Sequence, residues 1–230
     1  MKLNKLIFSF TIILIISSIS LYSKNIEEIV VTGTKSKTQI INETGNLSLI
    51  SNEEINFISP DNPSNVLNRM PGVFISQGSG QEHLTSIRSP VLSGGAGAGS
   101  FLYLEDGIPL RSPGFSNVNG LMESNIEISA RTEVIRGPGS VLYGSNAVHG
   151  LVNVITEKEN ADYNNKLNIR AGKNKIFLNS STYRELENSN LLFNFLWKED
   201  NGYTNNYTEQ NSDKFDKPDY GQQKFLIRLN

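Results

Sequence analysis

The feature that most constrains the fold is a strict alternation of apolar and polar residues in the last third of the chain. In "NLLFNFLW" (190–197), every second residue is apolar and large, and successive side chains of a β-strand point to opposite faces. One face of this strand therefore carries Leu191, Phe193, Phe195 and Trp197. "KLNIRA" (166–171) and "KFLIRLN" (224–230) repeat the pattern. The alternation predicts antiparallel strands with one apolar face.

The connections between these strands favour one kind of sheet. A short turn at 172–174 and a long polar loop at 199–221 join the strands, as is typical of an outer-membrane barrel with an apolar outer face. A soluble antiparallel sheet fits the alternation equally well. We assign residues 163–230 to these strands.

The N-terminus predicts export. Lys2 and Lys5 precede an apolar run from residue 6 to residue 16, and small residues follow it. This order is typical of a secretory signal peptide, which we place at residues 1–23. The alternative is a membrane anchor, but the run is shorter than the roughly 20 apolar residues of a spanning helix.

Composition excludes several function classes. The formal net charge of −2, with 37% hydrophobic and 9% aromatic residues, fits neither a basic nucleic-acid-binding surface nor a disordered acidic tail. The chain has no cysteine, so it has no disulfide and no thiolate zinc site. With only His83 and His149, it also lacks the material for a histidine metal cluster. We predict no cofactor, no metal site and no nucleic-acid partner, and an exported chain without cysteine suits a bacterial envelope.

Residues 46–158 have the pattern of a mixed α/β domain, preceded by a tether. Residues 24–45 open with a short β-branched run that has nothing nearby to pack on. Helices are predicted at 52–58, beginning with an asparagine cap, and within 62–76, where Pro63 suits a first turn. Strands are predicted at 47–51, 73–76, 86–88, 101–110, 132–137 and 151–156.

Two features suggest catalysis at first sight, and neither has the required context. "SGGAGAGS" (93–100) contains spaced glycines, but a strand follows it where a dinucleotide-binding fold needs a helix. Glu105 and Asp106 are adjacent, and strand neighbours point to opposite faces, so they do not form a carboxylate pair. Asp106 and Gly107 are typical of a turn. No Ser/His/Asp constellation is visible, and we predict that the protein is not an enzyme.

Four motifs, in order and spacing, carry a family resemblance. "EEIVVTGT" (27–34) resembles a TonB box, and three further stretches resemble plug-domain signatures. These are "NVLNRMPGVFIS", "LYLEDGIPL" and "EVIRGPGSVLYGSNAVHGLVNVIT". The chain resembles the TonB-dependent outer-membrane receptors over nearly all its length to residue 158. The implied fold is an α+β plug domain, a mixed sheet with short helices, followed by antiparallel strands of an incomplete transmembrane β-barrel.

The resemblance implies a function in the bacterial outer membrane. In this family the plug fills a barrel of about 22 strands, and TonB, energised by its inner-membrane complex, pulls the TonB box from the periplasm. The ligand is scarce and bulky, such as a ferric siderophore, cobalamin or another metal chelate.

The resemblance also implies roles for single residues. The TonB-binding residues are Ile29, Val30, Val31 and Thr32, which would pair edge to edge with a TonB strand. Arg88 and Arg136 match plug arginines that meet carboxylates on the inner wall of the barrel. Turns of the plug are expected at Gly107, Gly137, Pro138, Gly139, Gly144 and Gly150, because glycine permits backbone angles that other residues resist. The Ile87-Arg88-Ser89-Pro90 stretch departs from the family's Ile-Arg-Gly, so the local turn should differ.

The number of strands leaves two alternatives open. After residue 158 there is room for about four strands, and single-chain outer-membrane barrels begin at about eight. The chain is expected to be either the front part of a longer receptor or a short periplasmic plug-like module that binds TonB or ligand without a barrel.

Overall fold

The computed structural model describes residues 29–42, 46–77, 83–89, 100–110, 120–156, 165–173, 175–187, 189–200 and 220–229. The predicted signal peptide lies outside these residues, as do nearly all of the glycine stretch 93–100 and of the polar loop 199–221. The division of the chain at 24–45, 46–158 and 163–230 stays a prediction.

The described residues of the first two thirds form a mixed sheet with short helices. In chain order the strands are β1 (Ile29–Val30), β2 (Thr38–Gln39), β3 (Leu47–Ser51), β4 (Val73–Gln77), β5 (His83–Ile87), β6 (Phe101–Glu105), β7 (Ile108–Pro109), β8 (Arg131–Ile135) and β9 (Gly150–Ile155). The α-helices are α1 (Asn52–Ile58), α2 (Pro63–Leu67) and α3 (Ser140–Tyr143). Short 3-10 helices occupy Ile40–Asn42, Gly120–Met122 and Ile126–Ile128.

A five-stranded sheet in the order β3-β8-β9-β6-β7 organises this part. β8 is antiparallel to both β3 and β9, and β6 runs parallel to β9. "LVNVIT" therefore returns beside "TEVIR", with Val134 opposite Val152. The main apolar core packs on one face of this sheet, under α1, α2 and the 3-10 helix at Ile126. A smaller cluster of Leu102, Leu104, Ala147 and Leu151 lies apart from that core.

Local caps fix the two helices over the main core. Ser51, not Asn52, caps α1: its side chain accepts a hydrogen bond from the Glu54 amide at 3.3 Å. Asn52 is instead the first helical residue, and its amide group donates to the Ser129 carbonyl at 2.6 Å. Asn62 caps α2 with a reciprocal capping box, and Pro63 occupies the first turn as predicted.

Two predicted strands differ in detail from the observed ones. The strand predicted at 86–88 runs over His83–Ile87 and ends before Arg88, which has a φ of +50°. The strand predicted at 101–110 is a hairpin of β6 and β7 around Asp106 and Gly107, with φ values of +51° and +81°. Positive φ at both central residues is the geometry that favours Asp-Gly in two-residue hairpins.

The last third forms a four-stranded antiparallel sheet in sequential order. Its strands are β10 (Asn165–Ala171), β11 (Lys175–Leu186), β12 (Ser189–Asp200) and β13 (Tyr220–Leu229). The predicted alternation is confirmed: Leu192 and Leu196 are buried, whereas Phe225, Ile227 and Leu229 are exposed by 65–71%. β11 was not among the strands named from the sequence. Among the described residues, no helix has the length and apolarity to cross a membrane.

Candidate functional site

The segment that resembles a TonB box is docked on the five-stranded sheet. Ile29 and Val30 pair with Gln39 and Thr38 in a small antiparallel ladder formed by the chain itself. Val30 and Thr32 are fully buried. The stretch was expected to have nothing nearby to pack on, and it is residues far along the chain that cover it.

One buried carboxylate holds the docked segment. Glu133 accepts the backbone N–H of Val31 at 3.2 and 3.1 Å, and that of Thr32 at 2.7 Å. Its other neighbour is Arg131, whose Nε donates to Oε1 at 2.6 Å. The Glu133 side chain is 0% exposed, so two amide dipoles and one guanidinium compensate a fully desolvated charge.

The remaining polar atoms of Thr32 are also bound. The Tyr143 hydroxyl donates to the Thr32 carbonyl at 3.0 Å, and Asn153 Nδ2 donates to Thr32 Oγ1 at 3.0 Å. Burial, followed by the nearby Glu133 carboxylate, raises the pKa of the Tyr143 hydroxyl, which keeps it a proton donor. Lys35 Nζ lies 4.8 Å from the centre of the Tyr143 ring. We call Glu133, Arg131, Tyr143 and Asn153 the Thr32 socket.

The register of the sheet explains the Thr32 socket. Glu133 on β8 lies directly opposite Asn153 on β9, and Arg131 lies two residues earlier on the same face of β8. α3 adds Tyr143 from the connection between these strands. Glu133 is not among the site residues predicted from the sequence. The available signal was a charged residue in the middle of "TEVI" and an amide in the middle of "LVNVIT", both inside otherwise apolar runs.

A second candidate surface lies between the mixed domain and the inner face of β10–β13. Asp61, after α1, pairs with Arg170 at 3.3 Å and with Lys175 at 3.1 Å. The Lys198 ammonium donates to the Asp61 carbonyl. Glu127 pairs with Lys224 at 3.4 Å.

Asp106 makes the most connected of these contacts. It accepts the Thr156 N–H at 2.8 Å and the Thr156 hydroxyl at 2.5 Å, and it pairs with the Arg228 guanidinium. Arg228 also donates to Thr156 Oγ1 at 3.1 Å. The turn that joins β6 to β7 is thereby attached to both β9's end and β13. Glu105 is separate and binds Asn125, so the adjacent carboxylates have different partners.

The charges at this interface are the reverse of the predicted arrangement, in which the plug supplies arginines and the barrel wall supplies carboxylates. The carboxylates Asp61, Asp106 and Glu127 belong to the mixed domain, and the cations belong to the strands. Arg136 Nη1 donates to the Pro71 carbonyl at 2.8 Å, and the Arg88 side chain packs beside Gly72. Within the described residues neither arginine has a carboxylate at ion-pair distance. Their pairing with a barrel wall stays a prediction.

The predicted turn residues occupy two kinds of position. Gly107, Gly137 and Gly144 have φ of +81°, +148° and +76°, with Pro138 following the second. Gly139 and Gly150 instead allow close packing. A Cβ on Gly150 would lie 2.8 Å from the Ile135 carbonyl oxygen and 2.9 Å from Ile87 Cδ1. In the described part of the chain, no three His, Asp or Glu side chains are grouped as metal ligands.

The sequence matches one family model and a named transporter. Residues 39–151 match the family model described as TonB-dependent Receptor Plug Domain. The vitamin B12 transporter BtuB of Vibrio vulnificus (strain CMCP6) is 30% identical over 169 residues, which are 72% of this chain and 27% of that protein.

Solved structures share the fold. The ferripyoverdine receptor of the outer membrane of Pseudomonas aeruginosa matches with a TM-score of 0.60 and 18% identity, covering 76% of this chain and 23% of that one. The ferric yersiniabactin uptake receptor FyuA from Yersinia pestis matches with a TM-score of 0.58 and 16% identity, covering 80% and 28%. The chain spans about a quarter of the length of these relatives.

The matches confirm both the predicted fold class and the resemblance found in the sequence. They extend beyond the plug to the strands that follow it. The chain belongs to the TonB-dependent outer-membrane receptors, and it carries their plug domain and early strands of their barrel.

Proposed function

We propose that this chain works in an outer-membrane receptor for the energised uptake of a scarce, bulky ligand, with the plug as the gate. Residues 1–23 direct export, and Ile29, Val30, Val31 and Thr32 form the strand that TonB binds from the periplasm. TonB with its inner-membrane energising complex supplies the pull. Outer-membrane lipid surrounds the exposed apolar face of the strands, which includes Phe225 and Ile227.

The observation that carries this proposal is the attachment of the N-terminal segment to two inner strands of the plug sheet, β8 and β9. Thr32 is bound by Glu133 of β8 and by Asn153 of β9. A pull on the segment therefore acts on the plug sheet itself. Several of the ion pairs that hold the plug to β10–β13 are partly exposed, so water can replace them as the plug moves.

The ligand class follows from the relatives and stays a proposal. The names of the matched proteins specify vitamin B12, ferripyoverdine and ferric yersiniabactin. We propose a ferric siderophore, cobalamin or another metal chelate as the ligand of this receptor. Deleting its gene should impair growth when iron or cobalamin is limiting, and normal growth on every such source would contradict the proposal.

The alternative of a short periplasmic module without a barrel is less favoured. The matched proteins are transporters and receptors, and the similarity includes the strands beyond the plug. Those strands expose apolar side chains such as Leu167 and Ile169, by 64% and 61%. Lipid is a more favourable neighbour than water for such a face.

Replacing one backbone donor tests the TonB-binding strand. Val30→Pro removes an N–H and fixes φ, so the purified receptor should lose measurable binding of the TonB C-terminal domain. Val30→Thr keeps the donor and the β-branched shape, and it should bind at least as tightly as the natural receptor. Binding would be followed by titration calorimetry. Equal affinity of the proline variant would exclude pairing through this stretch.

A further inference from the structure

The docked segment and a TonB-bound strand use the same backbone groups. We infer that Glu133 is a positioning residue that holds the segment in a form closed to TonB, so that docking in the Thr32 socket and TonB binding compete. This inference rests on the proposed function, because it concerns the regulation of the same TonB-binding strand. It adds a specific residue, Glu133, and a specific consequence, a lowered affinity for TonB in the docked form.

The backbone geometry makes the two forms mutually exclusive. The N–H groups of Val31 and Thr32 are consecutive, and both point at the Glu133 carboxylate. In an extended strand, consecutive N–H groups point to opposite sides, so one carboxylate cannot receive both. Convergent amides of this kind form an anion-binding concavity. The strand β1 ends at Val30 for this reason, and a turn follows it. Extending the strand through Thr32 requires release from Glu133.

The carbonyl and hydroxyl groups of Thr32 are also inaccessible to a partner strand while the segment is docked. Its carbonyl is bound by Tyr143 and its hydroxyl by Asn153, and its side chain and backbone are 0% exposed. A partner strand needs both the N–H and the C=O of the residue it pairs with. Neither is accessible while Thr32 occupies the socket. Val30 is likewise buried and already paired with Thr38.

Electrostatics favour the docked form. When the segment leaves, Glu133 loses two amide donors and, among the described residues, keeps Arg131 as its close partner. A buried carboxylate that loses hydrogen bonds is destabilised, so release is opposed. The apparent affinity for TonB is then the intrinsic affinity multiplied by the released fraction. Weakening the socket should raise that fraction and the affinity together.

The test combines TonB affinity with a direct reading of docking. Because the described chain has no cysteine, Ser36→Cys accepts a single nitroxide label on the exposed turn beside the segment. In this background, Glu133→Gln keeps the shape of the side chain but offers a donor where an acceptor is needed. We expect a more mobile label and binding of the TonB C-terminal domain about tenfold tighter or more.

Two further variants control the experiment. Glu105→Gln alters another carboxylate, partly buried, that accepts a backbone amide, that of Asn125, at a place remote from the segment. It should change neither label mobility nor affinity. Tyr143→Phe removes only the hydroxyl that binds the Thr32 carbonyl, and it should act in the same direction as Glu133→Gln with a smaller effect. It serves if the Glu133 variant does not fold.

Each result decides between the proposals. An unchanged label in both socket variants would show that Glu133 and Tyr143 do not hold the segment, and would overturn the inference alone. A mobile label with unchanged affinity would overturn the competition. A mobile label in a receptor that binds no TonB domain at all, natural or variant, would overturn the proposed function, and the inference with it.

Discussion

At the scale of single residues, this plug places carboxylates inside apolar strands and satisfies each one differently. Glu133 receives consecutive backbone amides and an arginine, whereas Glu105 at the end of β6 accepts the N–H and the side-chain amide of Asn125, at 2.7 and 2.8 Å. Glu105 thereby connects β6 to the loop before the 3-10 helix at Ile126. Such residues tie loops to strands where apolar contacts alone would leave buried amides unpaired.

Glu105 should make the stability of the plug depend on pH. Burial raises its pKa above the usual 4.5, although the hydrogen bonds from Asn125 act in the opposite direction. The folded plug then binds a proton over a pH range in which the unfolded chain has already lost it. In that range the free energy of unfolding falls as pH rises, and it levels off above the folded pKa.

Urea unfolding of the plug within the purified receptor, from pH ~4 to pH ~8, would measure this. Glu105→Gln should remove the decline, so its stability relative to the natural receptor should increase with pH. Asn125→Ala removes the side-chain donor and keeps the backbone one, so the pKa of Glu105 should rise further and the decline should extend to higher pH. Parallel pH profiles of the natural receptor and Glu105→Gln would show that Glu105 does not titrate differently on folding.

At the scale of elements, the interface between plug and strands relies on charge pairs of unequal burial. Asp106 and Arg228 have side chains 17% and 21% exposed, whereas Asp61 and Lys175 are 46% and 49% exposed. Water screens the second pair more strongly than the first. The turn between β6 and β7 should therefore contribute more to plug retention than the loop after α1.

A pair of double-mutant cycles compares these contacts. For Asp106→Ala and Arg228→Ala, we expect a coupling of about 1–3 kcal/mol in the free energy of plug unfolding, since the groups share Thr156. For Asp61→Ala and Lys175→Ala, the expected coupling is about 0–1 kcal/mol. Both would be measured by urea unfolding, at low salt and at high salt. Coupling that is larger for the exposed pair would contradict the assignment.

The elements that sequence predicts best are those whose signal is local. β12 and β13 follow from alternation, and the turn at Asp106 and Gly107 from its residue types. β11 is harder, because its buried face carries Asn179 and Ser181 beside a single large apolar residue, Phe177. Such polar residues face the plug, and their alternation is invisible to a hydrophobic pattern.

The candidate site is harder to predict because its contacts are long-range. Glu133 lies 101 residues from Thr32, and nothing near Thr32 indicates that a carboxylate will bind its amide. Family resemblance singled out the segment at residues 29–32, but not the residues that dock it. The polarity of the plug–strand charges depends likewise on which loops meet which strands, so Asp61 and Arg170, which are 109 residues apart, could not be paired in advance.

At the scale of the whole molecule, the order of strands determines where a pull is applied. After the segment and β2, the chain enters the five-stranded sheet at β3, which is an edge strand bonded only to β8 in the described sheet. Once the segment has left the Thr32 socket on β8 and β9, a force on the N-terminus reaches β3 before the other strands of the sheet. Peeling an edge strand breaks its hydrogen bonds one after another, whereas moving the plug as a rigid body must break all its contacts with the strands together.

A reversible cross-link between β3 and β8 would distinguish these two routes. Leu47 pairs directly with Ile135, and directly opposed residues of antiparallel strands are close enough for a disulfide. The chain has no cysteine, so Leu47→Cys with Ile135→Cys adds a unique pair.

The receptor would be pulled through its N-terminus in an optical trap. If β3 peels first, oxidation should remove about 300 Å of extension, the length of the chain between the two positions. Reductant should restore it, and each single substitution should behave like the natural receptor. Release without lengthening, at the same force in the oxidised and reduced states, would show instead that the plug leaves the barrel folded.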